Sequence, residues 1–142
     1  MGRKLSALVT VGALAFASAA YAKSYELEGD FGDSHPGSEV TAKVQVRGGQ
    51  PTLVKVFKFS GLLAECEGAP GARVSGDSGR PAEIVERPSG KLRFEIRLIE
   101  EDSAARVDGK VSRSGKALSG TIVYSGEAGG GCEAEAEFEL ER

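Results

Sequence analysis

The chain has 142 residues, with 18 Lys and Arg against 21 Asp and Glu and a formal net charge of −3. That length sets one domain with a core of modest size. The mildly acidic balance argues against nucleic acid, which asks for a clustered Lys/Arg face, and against simple attraction to anionic lipid.

The first element is MGRKLSALVTVGALAFASAAYA. Arg3 and Lys4 precede an apolar stretch from Leu5 to Ala19, and Ala20-Tyr21-Ala22 supplies a small-x-small cleavage pattern. This predicts a secretory signal peptide over 1–22. An apolar run of about 15 residues falls short of the roughly 20 needed to span a bilayer. No cysteine stands at the cleavage point, which argues against a lipid anchor. The expected product is a single secreted β-domain, 23–142, with no membrane contact after cleavage. Loss of Arg3 and Lys4, with no acid, takes the formal charge from −3 to −5.

From there, period two dominates. A strand is expected over Tyr25–Phe31, followed by the loop GDSHPGSE, which carries the sole histidine, His35. In Glu39–Arg47, Val40, Ala42, Val44 and Val46 share one face, opposite Thr41, Lys43, Gln45 and Arg47. Leu53–Phe59 and Leu62–Glu67 read as two further strands, and the second contains Cys66. The following stretch, EGAPGARVSGDSGRP (67–81), is poor in strand signal and reads as a long loop. Ala82–Glu86 reads as a short strand. Leu92, Phe94, Ile96 and Leu98 then alternate with Arg93, Glu95 and Arg97. Glu100–Arg106 reads as a connection, Arg106–Ser112 as a strand, and Leu118–Tyr124 as a less regular one. The tail is plainest: Ala134, Ala136, Phe138 and Leu140 alternate with Glu133, Glu135, Glu137, Glu139 and Glu141.

Such alternation is what half-buried antiparallel strands require. All five prolines fall between these strands, and 20 glycines punctuate the turns. The fold class expected is all-β: an antiparallel β-sandwich of about 8–9 short strands, with a small closed barrel as the alternative.

Cys66 and Cys132 are the only cysteines. In an exported chain two cysteines most often pair, and both have the parity of inward-facing residues. A bond between them would clamp the middle of the chain to its last strand and contribute about 4 kcal/mol. Buried free thiols are one alternative. Half of a metal site is another, though one histidine and no CxxC spacing give it little support.

The glutamate column Glu133, Glu135, Glu137, Glu139 reads first as a solvated outer face, or as an edge strand guarded by charge. Lys43 and Arg47, or Arg93 and Arg97, on a neighbouring strand are expected to offset its repulsion. Its functional reading is an acidic stripe for a basic partner or for calcium. Calcium needs about six converging oxygens, and no DxDxDG order is present, so no metal or other cofactor is expected. His35 sits in a Gly/Pro/Ser loop, and Gly76-Asp77-Ser78-Gly79 lacks the elbow context of a serine nucleophile. No catalytic residue is assigned. The stretch 67–81 is a candidate binding loop through Arg73, Asp77 and Arg80.

KVFKFSGLLAEC (55–66) and GKALSGTIVYSGEAGGGCEAEAEFEL (115–140), with SGKLRFEI and VDGKVS between them, are similar to stretches of a group of small secreted bacterial all-β proteins. In those chains an aromatic-x-aromatic strand runs into a cysteine, and a second cysteine precedes the last strand. The resemblance implies a secreted β-domain with a cysteine pair and no assigned reaction. The all-acidic outer face of the tail departs from the mixed or basic one of that group.

The function expected is therefore a monomeric, non-catalytic extracellular module that binds an unidentified protein or surface, or serves structurally. The alternative is a small secreted carboxylate-dependent hydrolase, and a small-molecule carrier would need a barrel with an apolar cavity. The first would place converging carboxylates or His35 in a deep pocket.

Overall fold

A computed structural model describes residues 22–127 and 131–142. The segment expected to be a signal peptide, Ala22 apart, lies outside the described residues. Ten strands are formed: β1 (Ala22–Asp30), β2 (Glu39–Arg47), β3 (Gln50–Cys66), β4 (Ala69–Asp77), β5 (Ala82–Glu83), β6 (Val85–Glu86), β7 (Leu92–Ile99), β8 (Ser103–Val111), β9 (Ala117–Gly126) and β10 (Cys132–Glu141). Every pairing is antiparallel, and no helix occurs among the described residues. The all-β antiparallel class is as expected.

The strands make one sheet in the order β4-β3-β2-β1-β10-β9-β8-β7-β6. Two meanders, β1–β4 and β7–β10, are joined where β1 meets the end of β10 at Asp30↔Glu139. They meet again where the start of β10 pairs with the end of β3 at Cys132↔Cys66. The 82–86 segment links them a third time, because β5 pairs with β3 and β6 with β7.

The sheet curls around one core to which both meanders contribute. Val40, Val44, Val54 and Phe57 come from the first, and Val107, Ile122, Phe138 and Leu140 from the second. The Phe57 and Phe138 rings lie 5.3 Å apart, and Phe31 sits edge-on to Phe59 at 6.0 Å and to Phe138 at 6.3 Å. Each such fully buried side chain contributes about 1.5–3 kcal/mol of burial.

A second packing device recurs across the ladders: a phenylalanine directly opposite a glycine. Phe59 faces Gly76, Phe94 faces Gly109, and Phe138 faces Gly120, which in turn faces Gly109. A Cβ at Gly76 would meet the Phe59 ring at 2.6 Å, and one at Gly109 the Phe94 ring at 2.5 Å. The rings thus occupy volume that the opposite strand leaves empty.

Three expectations about elements change. Leu53–Phe59 and Leu62–Glu67 are one 17-residue strand, with its register to β4 shifted between Phe59 and Leu62. Gly61 permits this, having φ +73° and no room for a Cβ, which would lie 2.9 Å from the Ser38 Cα. The long loop at 67–81 is also corrected: residues 69–77 form β4, an edge strand whose inward positions include Val74 and Gly76. Its alternation is faint because Phe59 supplies the bulk from across the ladder. The Glu100–Arg106 connection likewise shortens, since Ser103 already begins β8. Gly48-Gly49, with φ of +60° and +77°, makes the two-residue β2–β3 hairpin.

Candidate functional site

Cys66 and Cys132 are disulfide-bonded, with Cα atoms 4.0 Å apart and a sequence separation of 66. They are direct partners in a ladder only two residues long, so the bond carries much of the β3–β10 junction. Cys132 is buried and Cys66 half-buried.

The pairing fixes what lies beside it. In an antiparallel ladder with Cys66 opposite Cys132, Glu65 must stand opposite Glu133, and it does. At the other end of β10, Glu139 faces Asp30 and Glu141 faces Glu28. Three acid–acid cross-strand pairs therefore flank the glutamate column, where cations were expected. Like charges directly opposite each other destabilise a ladder. None of the five ion pairs found among the described residues includes any of these carboxylates. Lys43 and Arg47 lie one strand further away, on β2, and Arg93 and Arg97 lie on β7. The edge-strand reading of the column is also corrected: β10 is interior, paired along its length with β9 and at its two ends with β1 and β3.

Next to the disulfide the outer surface dips into an open concavity of about 760 Å³. Its lining includes the disulfide and seven carboxylates: Glu65, Glu67, Glu100, Glu101, Asp102, Glu127 and Glu133. Among the described residues, no Lys, Arg or His lines it. The acids come from four places: the end of β3, the β7–β8 turn, the residue after β9, and the start of β10. Ile99, 80% exposed, stands at the rim. Among the described residues no group of three His, Cys, Asp or Glu side chains comes close enough to hold a metal ion.

The other singled-out residues do not join this site. Arg73, on β4, donates from Nη1 to the Pro36 carbonyl at 2.6 Å and holds the β1–β2 connection. Asp77 ends β4 and sits 3.8 Å from the Lys58 ammonium. Arg80 is exposed in the bend that follows. They sit on and beyond an edge strand instead of converging in a loop. His35 accepts the Leu63 backbone N–H at Nδ1, 2.9 Å away, and its ring lies 5.8 Å from Phe31. That nitrogen is committed to holding the β1–β2 loop on β3.

Among the described residues, a mutual perturbation of two charges lies elsewhere. On β7 and β8, the hydrogen bond from Arg97 holds the Glu95 carboxyl below its ordinary value, opposed by desolvation and aided by the nearby Arg106 and Arg97 charges. The same bond raises Arg97.

No family model, no curated protein and no solved structure matches this chain. The reading of the site rests on its own geometry.

Proposed function

We propose that this is an exported, non-catalytic β-domain that binds a cationic protein or surface through the outer face of β10 and the acidic concavity beside its disulfide. The observation that carries this reading is the opposition of acid to acid at Glu65↔Glu133, Asp30↔Glu139 and Glu28↔Glu141. Each pair costs the ladder stability, roughly 0.2–1 kcal/mol. A partner that brings positive charge would recover that cost on binding, and the attraction would steer its approach. A signal peptide over 1–22 and a disulfide-stapled core both suit life outside the cell.

The test is titration of the 23–142 chain with a fluorescent oligolysine peptide at low and high salt. The variant E133Q/E135Q/E137Q/E139Q is compared with the charge-matched control E26Q/E39Q/D77N/E83Q. Selective weakening in the first variant supports the reading. Equal weakening in both would mean that only net charge matters, and the assignment of this face would be abandoned.

A further inference from the structure

We infer that the Cys66–Cys132 disulfide is a charge-selective site of thiol–disulfide exchange, open to cationic thiols and guarded against anionic ones. Two independent features meet in one concavity. One is a disulfide whose Cys66 half is partly exposed. The other is a wall of seven carboxylates with no basic side chain.

The chemistry is ordinary exchange. A thiolate attacks the Cys66 Sγ, the S–S bond breaks, and Cys132 departs as a thiolate that takes a proton from water. A second thiolate then attacks the external sulfur of the mixed disulfide. This releases the Cys66 thiolate and the oxidised small-molecule disulfide, so two electrons pass from two thiols to the protein. The attacking species is an anion, so it must carry its charge into the field of the carboxylates. A carboxylate about 10 Å away changes the local concentration of a unit charge roughly twofold in water. Several acting together give a tenfold or larger penalty at low salt. A thiolate that also bears an ammonium group has no net charge and escapes that penalty, while one with a second anionic group meets it twice.

This selectivity does not depend on the proposed partner of β10. If binding to cationic partners fails, the kinetic prediction stands or falls by itself. Its consequence would be a staple that resists anionic reductants of the glutathione type but yields to amine-bearing thiols.

The experiment measures second-order rate constants for reduction of the folded 23–142 chain, followed by mass spectrometry after acid quenching. The thiols are cysteamine, 2-mercaptoethanol and 2-mercaptoethanesulfonate, each rate being expressed per thiolate and divided by its rate on a neutral model disulfide. At about 10 mM ionic strength the expected order is cysteamine, then mercaptoethanol, then mercaptoethanesulfonate, spread over about tenfold or more. At about 0.5 M salt the spread should fall to roughly twofold, because the Debye length shrinks to a few ångströms. The variant E65Q/E133Q, altered only at exposed positions, should narrow the low-salt spread while leaving the fold intact. Equal normalised rates at low salt would overturn the inference. So would a rate independent of thiol concentration, which would mean that reduction waits for global opening.

Discussion

Gly120 is the most exacting position in the second meander. It faces Gly109 on β8 and Phe138 on β10, in a row that runs Phe94–Gly109–Gly120–Phe138 across four strands. A Cβ there would lie 2.8 Å from the Gly109 Cα and 3.0 Å from the Phe138 Cζ, and closer still to the Asp108 carbonyl oxygen. Two of those atoms are backbone in a fully paired strand, so the ladder itself must shift. Overpacking of this kind costs about 1–3 kcal/mol, and the backbone contacts put Gly120→Ala at the upper end. The alanine also restricts the unfolded chain, which returns about 0.4–1 kcal/mol. The net loss of about 2 kcal/mol should lower Tm by roughly 6–12 °C in a domain of this size. Thermal unfolding followed by circular dichroism, with the disulfide intact, measures it. Gly79→Ala is the control, because no atom lies within 4 Å of its Cβ. That variant should be neutral or slightly more stable. If both variants melt within about 2 °C of the parent, the close-packed row is not what holds β8, β9 and β10 together.

Three other outcomes are expected. The buried Ser78 hydroxyl accepts the Phe57 N–H at 2.8 Å, so Ser78→Ala leaves that donor without its partner and should cost about 1–3 kcal/mol in urea unfolding. Glu139→Lys places a cation opposite Asp30 and should stabilise the chain by about 0.5 kcal/mol at low salt, with the gain shrinking as salt is added. In a carbon-detected NMR titration, Glu95 should keep its charge to lower pH than an ordinary glutamate, and Arg97→Gln should bring its titration back up. A depressed carboxylate contributes stability above its unfolded pKa and loses it as pH falls through the folded one. Because Glu95 is exposed, that loss should be barely visible in the melting curve.

The strands that were plain in the sequence are those that carry their own bulk inward. Val40 to Val46 and Ala134 to Leu140 each present a continuous apolar face, and the structure buries most of both. β4 was read as a loop because two of its inward-facing positions are Val74 and Gly76, and the Phe59 ring fills the space over the glycine. The single β3 strand was read as two because the register shift near Gly61 breaks period two without ending the ladder. In each case the missing information belongs to the opposite strand, and a reading that follows one strand at a time does not contain it.

The acidic site divides along the same line. The glutamate column was visible as a pattern along one strand, but its neighbours were not, since pairing decides them. One pairing was nonetheless within reach. Given a Cys66–Cys132 bond between antiparallel strands, Glu65 and Glu133 become obligatory partners, one step inward on β3 and one step outward on β10. The disulfide is therefore more than a staple for this chain. It sets the register that pairs Glu65 with Glu133 in particular, and it sits beside the carboxylates that line the concavity. A substitution that slid β10 by two residues would keep every apolar side chain inward. It would also separate the sulfurs, yet acid would still face acid, because glutamates recur at every second position of β10. The covalent bond excludes that slip and so fixes which glutamates meet Glu65 and Asp30, while the two-residue period of β10 makes the meeting of like charges common to either register.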